Sequence, residues 1–401
     1  MKLPIYVKNC IDKIESAGFS AYAVGGAVRD SLLGKEPSDW DVTTSATPDK
    51  ILRVFENYRT IPTGIKHGTV TVLFESEGKN IPIEVTTFRI DGEYKDSRHP
   101  ESVDFSKDIR DDLSRRDFTV NAMAYNENDG IIDEFGGMTD IENRIIRAVG
   151  EPEKRFSEDA LRILRAFRFS AQLGFEIEEK TLEGAQKCAH LLKNIARERI
   201  GAEFKRMISS QGVVYSLEAI IENGIWNELF EVSIPEKSII ARLQKLSNGC
   251  FETRLAVLLS GFGETEICDM LSSLRLSNDE KKLIIRLCRV KSFDPSSNSL
   301  EHNARLFLHY YGDILPLASE VLKFYFDDTD TFLQAVEIES QKNRPLSISD
   351  LAVKGSDILP MCQGDYKLVG LTLKMLLSRV LEKPELNEKE KLIEIAKKSL
   401  E

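Results

Sequence analysis

The sequence predicts an α+β protein, with a mixed α/β segment over residues 1–140 and an all-helical remainder. Three observations lead there. Runs rich in β-branched residues lie at 22–24, 40–43, 69–74 and 81–88, with turn residues between them. From about residue 141 apolar side chains recur at helical spacing, as in Leu161, Leu164, Phe167, Phe169 and Leu173. Between the first strand and the helix expected over 27–33 stands a Gly25-Gly26 pair, and Gly34 closes that helix. Residues 5–17 read as an amphipathic helix ahead of the first strand.

The chain of 401 residues has room for roughly two to four domains. It is 42% hydrophobic and 30% charged, enough apolar material for real cores. No apolar run approaches the ~20 residues that span a bilayer, so no membrane partner is expected. The N-terminal Met1-Lys2-Leu3-Pro4-Ile5-Tyr6 lacks the apolar stretch of a signal peptide. Cys10, Cys188, Cys250, Cys268, Cys288 and Cys362 are scattered, which argues against a disulfide framework or a zinc site. A cytoplasmic location is the expectation.

A net charge of −11 sits awkwardly with nucleic-acid binding, because phosphate contacts want Lys and Arg. The distribution matters more. Residues 141–210 carry 14 basic against 11 acidic side chains, whereas 1–140 carry 17 against 25. A local patch, not a global field, would hold an RNA.

The first chemical constellation is Gly25-Gly26-Ala27-Val28-Arg29-Asp30 followed by Asp39-Trp40-Asp41. On a strand, residues i and i+2 point to one face, so Asp39 and Asp41 are expected side by side. Paired carboxylates suit Mg²⁺ shared with substrate phosphates. Gly26 offers a backbone N–H at a strand-to-helix turn, and Arg29 adds a cation one turn later. Glu84, on Ile83-Glu84-Val85, is either a third carboxylate or an outward strand residue. Two solvated aspartates at a strand end fit the tripeptide alone equally well, and sugar transferases use it too.

The second constellation is Glu158-Asp159-Ala160-Leu161-Arg162-Ile163-Leu164-Arg165-Ala166-Phe167-Arg168-Phe169. Read as one helix, Asp159, Arg162 and, less closely, Arg165 and Arg168 recur every three residues, so neighbours along the row can share a face. A carboxylate beside a guanidinium can read a base edge. Cytosine and adenine present an amine next to an unprotonated ring nitrogen; uracil and guanine present the inverse. Asp159 and Arg162 suit that reading, and Arg165 and Arg168 suit a triphosphate. The bland alternative is a helix with ordinary ion pairs such as Glu158 to Arg162.

Together these motifs resemble the class II tRNA nucleotidyltransferases, the bacterial CCA-adding enzymes related to poly(A) polymerases. The segment from Gly25 to Asp41 resembles the family's metal and triphosphate motif. Arg115-Arg116-Asp117-Phe118-Thr119-Val120-Asn121-Ala122-Met123 resembles its ribose motif, which implies ribose contacts for Arg116 and Asp117. Asp133-Glu134-Phe135-Gly136-Gly137 through Gly150 resembles the hinge motif. Glu158 to Arg162 resembles the base-reading motif, and Glu198-Arg199-Ile200-Gly201-Ala202-Glu203-Phe204 resembles the one that buttresses it.

The resemblance implies a nucleotidyltransferase head over 1–140, a helical neck over 141–210, a body over 211–320 and a tRNA-binding tail over 321–401, in a seahorse-like shape. It implies template-independent addition of CCA to tRNA from CTP and ATP, with Mg²⁺ on Asp39 and Asp41. No protein partner is implied. Arg254 and the tail cations are candidates for tRNA contact or plain surface charges.

Three activities share these motifs. The polar segment Arg89-Ile90-Asp91-Gly92-Glu93-Tyr94-Lys95-Asp96-Ser97-Arg98-His99-Pro100 reads as a mobile loop of the kind that CC-only members lack. Addition of A alone stays open. The stretch Ile61-Pro62-Thr63-Gly64-Ile65-Lys66-His67-Gly68-Thr69 resembles the tRNA-specific branch rather than poly(A) polymerases.

Overall fold

The computed structural model describes residues 1–62, 64–76, 78–92, 103–246 and 250–400. Most of the expected loop, residues 93–100, lies outside them, as does Thr63. The chain forms two compact units: Met1–Ile240 with Glu264–Leu276, and Ala241–Gly263 with Ser277–Glu401. The expected limits at 140 and 210 fall inside the first unit and the limit at 320 inside the second.

The first unit begins with helix α1 (Ile5–Ser16), strand β1 (Ala21–Val24), helix α2 (Gly26–Leu32), strand β2 (Asp41–Thr44) and helix α3 (Pro48–Val54). Strands β3 (Arg59–Ile61), β4 (Thr69–Ser76) and β5 (Lys79–Thr87) follow, then β6 (Arg89–Asp91), β7 (Val103–Phe105), helix α4 (Ile109–Ser114), β8 (Ala124–Asn126) and β9 (Gly130–Ile132). Seven strands make one mixed sheet in the order β3-β4-β5-β2-β1-β8-β9. Its only parallel pair among the described residues is β2 with β5.

Period-2 patterning explains this sheet. On β4, Val70, Val72 and Phe74 are buried while the residues between them are not. Each such side chain contributes roughly 1.5–3 kcal/mol on burial. Central β1 is buried on both faces. Ala21 and Ala23 pack into one core with Val42 and Val85, whereas Tyr22 and Val24 pack into another with Phe88 and Leu113. Short β3, β8 and β9 carry too little alternation to be read from sequence. The ends of the expected loop are not irregular: β6 and β7 pair antiparallel, Arg89 opposite Phe105.

Helix α5 (Gly137–Asn143) and strand β10 (Ile145–Ile146) lead into helices α6 (Pro152–Glu158) and α7 (Leu161–Leu173). Strand β11 (Glu176–Ile177), which pairs with β10, and helices α8 (Glu179–Cys188) and α9 (Arg197–Ile208) follow. The helix expected to run unbroken through 158–169 is two helices. Asp159 is extended at φ −142°, ψ 102° and ends α6. At the other end of α7, Gly174 takes the left-handed conformation that ends a helix well.

Helices α10 (Val213–Glu222) and α11 (Ile225–Leu229) complete most of the first unit, and α12 (Lys237–Arg242) runs into the second. The second unit is helical, with α13 (Phe251–Leu259); α14 (Glu264–Ser273) belongs to the first again. The rest are α15 (Asn278–Cys288), α16 (Leu300–Tyr311), α17 (Leu315–Tyr325), α18 (Asp330–Gln341), α19 (Gly355–Ile358), α20 (Tyr366–Glu382) and α21 (Lys389–Leu400). Leu376, Val380 and Leu392 sit in its core. Arg254 is neither a surface charge nor placed to read RNA. It is 2% exposed, and its Nε donates to the Leu246 carbonyl at 3.0 Å. Among the described residues no helix is long and apolar enough to cross a membrane.

Candidate active site

Strand β1 ends at Val24 because Gly25, at φ 78°, turns the chain into α2. That conformation is open to glycine and strained for other residues. A Cβ on Gly25 would also lie 2.9 Å from Arg116 Nη1. Gly26, the glycine singled out by sequence, has ordinary backbone and ordinary room. The turn therefore rests on Gly25, and Arg116 lies against it.

The same turn fixes where β2 begins. Asp41 pairs with Val24, the last residue of β1, so Asp39 has no strand partner and stands in the loop before β2. The expectation that both aspartates lie on the strand is corrected there. Their common direction survives, because Trp40 between them is buried while Asp39 and Asp41 are exposed. Ser38 donates to Asp39 Oδ1 at 2.5 Å.

Across the parallel pair, Glu84 is the register partner of Asp41. Asp41 reaches solvent, yet protein packed around its carboxyl strips much of its water. That loss, then the Glu84 carboxylate, pushes it up to about 6, with Asp39 adding to the rise and Arg116 opposing it. A carboxylate raised by its carboxylate neighbours in this way suits a divalent cation. Among the described residues, no group of three or more His, Cys, Asp or Glu side chains is already gathered as a metal cage. Such a site would draw its remaining ligands from substrate or water.

Sequence reasoning missed Asp112, which organises the next layer. It is fully buried and accepts from Arg115 Nε at 2.9 Å, Arg116 Nη2 at 3.2 Å and the Thr43 hydroxyl at 3.1 Å. Burial alone would raise its carboxyl, but the Arg116 and Arg115 guanidiniums hold it below the usual range. The signal was present in the i,i+3 and i,i+4 spacing of Asp112 to Arg115 and Arg116. Arg116 Nε has no hydrogen-bond partner among the described residues.

Asp117 is nearly buried and anchors Arg165, which donates from Nε at 2.8 Å and Nη2 at 2.6 Å. Burial works against that charge, and Arg165 overcomes it, holding the carboxyl at about 2. Asn121 bridges Asp117 to Arg29, donating at 3.1 Å and accepting at 2.5 Å. Arg29 is buried and also pairs with Asp30 at 2.7 Å. Arg168 pairs with Glu203 of α9 at 2.5 Å and donates to Gln172 at 3.0 Å. Burial lowers its guanidinium to about 10 despite Glu203.

Asp159 and Arg162 are not paired with each other. Arg199 of α9 donates to Asp159 Oδ2 at 2.8 Å, and Leu161 N donates to Oδ1 at 3.1 Å. Arg162 donates to Glu158 at 2.8 Å, to the Arg155 carbonyl at 3.1 Å and to the Arg115 carbonyl at 3.0 Å. Helix α6 ends before Asp159, so one continuous helix does not relate the two; a single turn does, with Arg162 N donating to the Asp159 carbonyl at 3.0 Å. The Glu158–Arg162 ion pair is present. Asp159, Arg165 and Arg168 all meet α9, through Arg199 and Glu203.

Residues 21–147 match the poly(A) polymerase head domain family, and residues 174–236 match the family described as "Probable RNA and SrmB- binding site of polymerase A". The CCA-adding enzyme of Ligilactobacillus salivarius is 36% identical over 405 residues, covering 98% of this chain and 95% of that protein. The CCA-adding enzyme of Streptococcus suis is 42% identical over 284 residues, 70% of this chain and 69% of that protein. The Bacillus stearothermophilus CCA-adding enzyme in complex with CTP superposes with a TM-score of 0.79 at 30% identity, covering 100% of this chain and 98% of that one. With likeness of that extent in sequence and in fold, this chain belongs to the CCA-adding enzymes, a metal-dependent nucleotidyltransferase family.

Proposed function

We propose that this chain completes the 3′ end of tRNA by adding C, C and A from CTP and ATP, releasing pyrophosphate at each step. The observation that carries the reading is Asp41 in register with Glu84 across a parallel strand pair, under the influence of Arg116, which lies against the Gly25 turn. Relatives named CCA-adding enzymes support full CCA over A alone. The free state of all six cysteines supports a reducing, cytoplasmic setting.

Asp39 and Asp41 would hold Mg²⁺, with Glu84 placed to share. When bound, Mg²⁺ supplies Lewis acidity toward the attacking hydroxyl and the leaving pyrophosphate. Arg116, with an unpartnered Nε, and Asp117 orient the ribose. Gly26, Arg29, Arg165 and Arg168 hold phosphates through N–H donors. Asp159 accepts from the exocyclic amine and Arg162 donates to the adjacent ring position. Both must exchange their present partners, Arg199 and Glu158, for the base edge. Uracil and guanine then leave polar atoms unpaired and are rejected.

The test supplies purified protein with tRNAs ending at the discriminator base, at C and at CC, with CTP or ATP given separately. Cytidine should enter the first two and adenosine only the third. Adenosine addition without cytidine addition would mean an A-only enzyme. Runs of A on any RNA would mean a poly(A) polymerase.

A further inference from the structure

Three arginines from two helices meet at one aromatic ring. Arg168 Cζ lies 3.8 Å from the Phe169 ring centroid, Arg29 Cζ 5.2 Å and Arg165 Cζ 5.3 Å. All are within cation–π range. Arg29 comes from α2, beside the Gly25 turn, and the other two from α7. The ring is itself fixed: it is 6% exposed, and Phe118 meets it edge-on at 5.8 Å and 79°. Phe118 follows directly on Asp117, the anchor of Arg165.

Each arginine has a close carboxylate partner: Asp30 for Arg29, Asp117 for Arg165 and Glu203 for Arg168, with Glu203 also 3.9 Å from Arg165. A carboxylate fixes a guanidinium by occupying its N–H donors. A ring attracts the same cation through the negative face of its π-system and takes up few of those donors. It also eases the mutual repulsion of three like charges in a site poor in water. A ring is thus the one kind of side chain here that gathers cations while leaving them free to bind another anion.

We propose that Phe169 is a positioning residue that assembles Arg29, Arg165 and Arg168 into a single anion-binding cluster joining α2 to α7, for the nucleotide's phosphates. This rests on the phosphate role proposed above for those arginines. Inorganic tripolyphosphate is the probe, titrated calorimetrically into the full chain without added metal, so that the arginines are read apart from the carboxylates.

Phe169→Leu should weaken tripolyphosphate about tenfold, and CTP and ATP alike, while Phe169→Tyr stays near wild type. Placed in an Arg168→Ala background, Phe169→Leu should cost less than it does alone, because the ring acts in part through that arginine. A full-sized, additive loss in that background would mean simple packing and overturn the proposal. So would wild-type tripolyphosphate affinity in Phe169→Leu. Arg168→Ala with unchanged affinity would instead remove the phosphate reading, and the role of the ring with it.

Discussion

Arg168 in the first unit and Arg305 in the second are buried almost equally, at 7% and 6% exposed. Their partners differ in kind. Arg305 donates to the Leu381 carbonyl at 2.7 Å and the Glu382 carbonyl at 3.0 Å, at the end of α20, and to Glu339 at 3.2 Å. Arg168 is held by side chains alone: Glu203, Gln172 and the Phe169 ring. A carbonyl at a helix end cannot turn away without unwinding the helix, whereas a carboxylate or amide can rotate. Arg305 is therefore fastened to the end of α20, whereas the partners of Arg168 can rotate.

The largest expected effect tests the site side of that contrast. Asp41→Asn should reduce incorporation of both nucleotides by on the order of a thousandfold or more, since it removes an acceptor-only ligand. Yet the metal-free variant should melt ~1–3 °C higher, because the charge it removes is disfavoured by its surroundings. The sign follows from a folded value of about 6 against an ordinary 3.8. The folded state holds its proton longer, so this group's stabilising contribution falls as pH rises from 3.8 to about 6 and is flat above. Mg²⁺ on this carboxyl favours its charged form, so the acid-side loss of activity should move to lower pH as Mg²⁺ is raised. A metal-free Asn variant that melts lower would contradict this electrostatic account.

Arg305→Met tests the other side. Its loss frees the Leu381 and Glu382 carbonyls and leaves Glu339 with Lys342 alone, at 2.7 Å, which should cost about 1–3 kcal/mol. Thermal unfolding would show it, with base choice per folded molecule unchanged. Altered base choice would break the comparison.

A comparable effect is expected at Asp159. Asp159→Ala should lower the ratios of CTP to UTP and ATP to GTP incorporation by roughly ten- to hundredfold, an unpaired-atom penalty of about 1–3 kcal/mol. Single-nucleotide assays with all four nucleotides, beside a melting curve, separate this from a structural role. A lowered melting temperature with unchanged ratios would leave Asp159 as no more than a partner of Arg199.

Much of this was legible in the sequence, and the misses share one physical cause. Paired carboxylates, a glycine turn and clustered arginines are local patterns, and local patterns survive translation into structure. Which glycine needs the left-handed conformation was not local: Gly25 carries it because β1 ends there and the chain turns into α2. The strand start at Asp41 depends on where its neighbour stops. The break at Asp159 accompanies a contact with Arg199, 40 residues on. Spacing placed Asp159 and Arg162 in one continuous helix, which the chain does not form. Asp112 and Arg254 read as ordinary charges because burial is set by distant segments.

The discontinuity of the first unit bears on how the protein is made. The chain passes between the two units three times, and residues 264–276 return to the first after α13 has been laid down. That return is close-packed: a Cβ on Gly201 would lie 2.3 Å from the Leu274 carbonyl oxygen. The surface of α9 beneath it, on the helix that also holds Asp159 and Arg168, thus stays uncovered on the ribosome until residue 276 has emerged. Synthesis order makes this face of α9 among the last parts of that unit to be sealed, long after the sheet with Asp41 has its strands in hand.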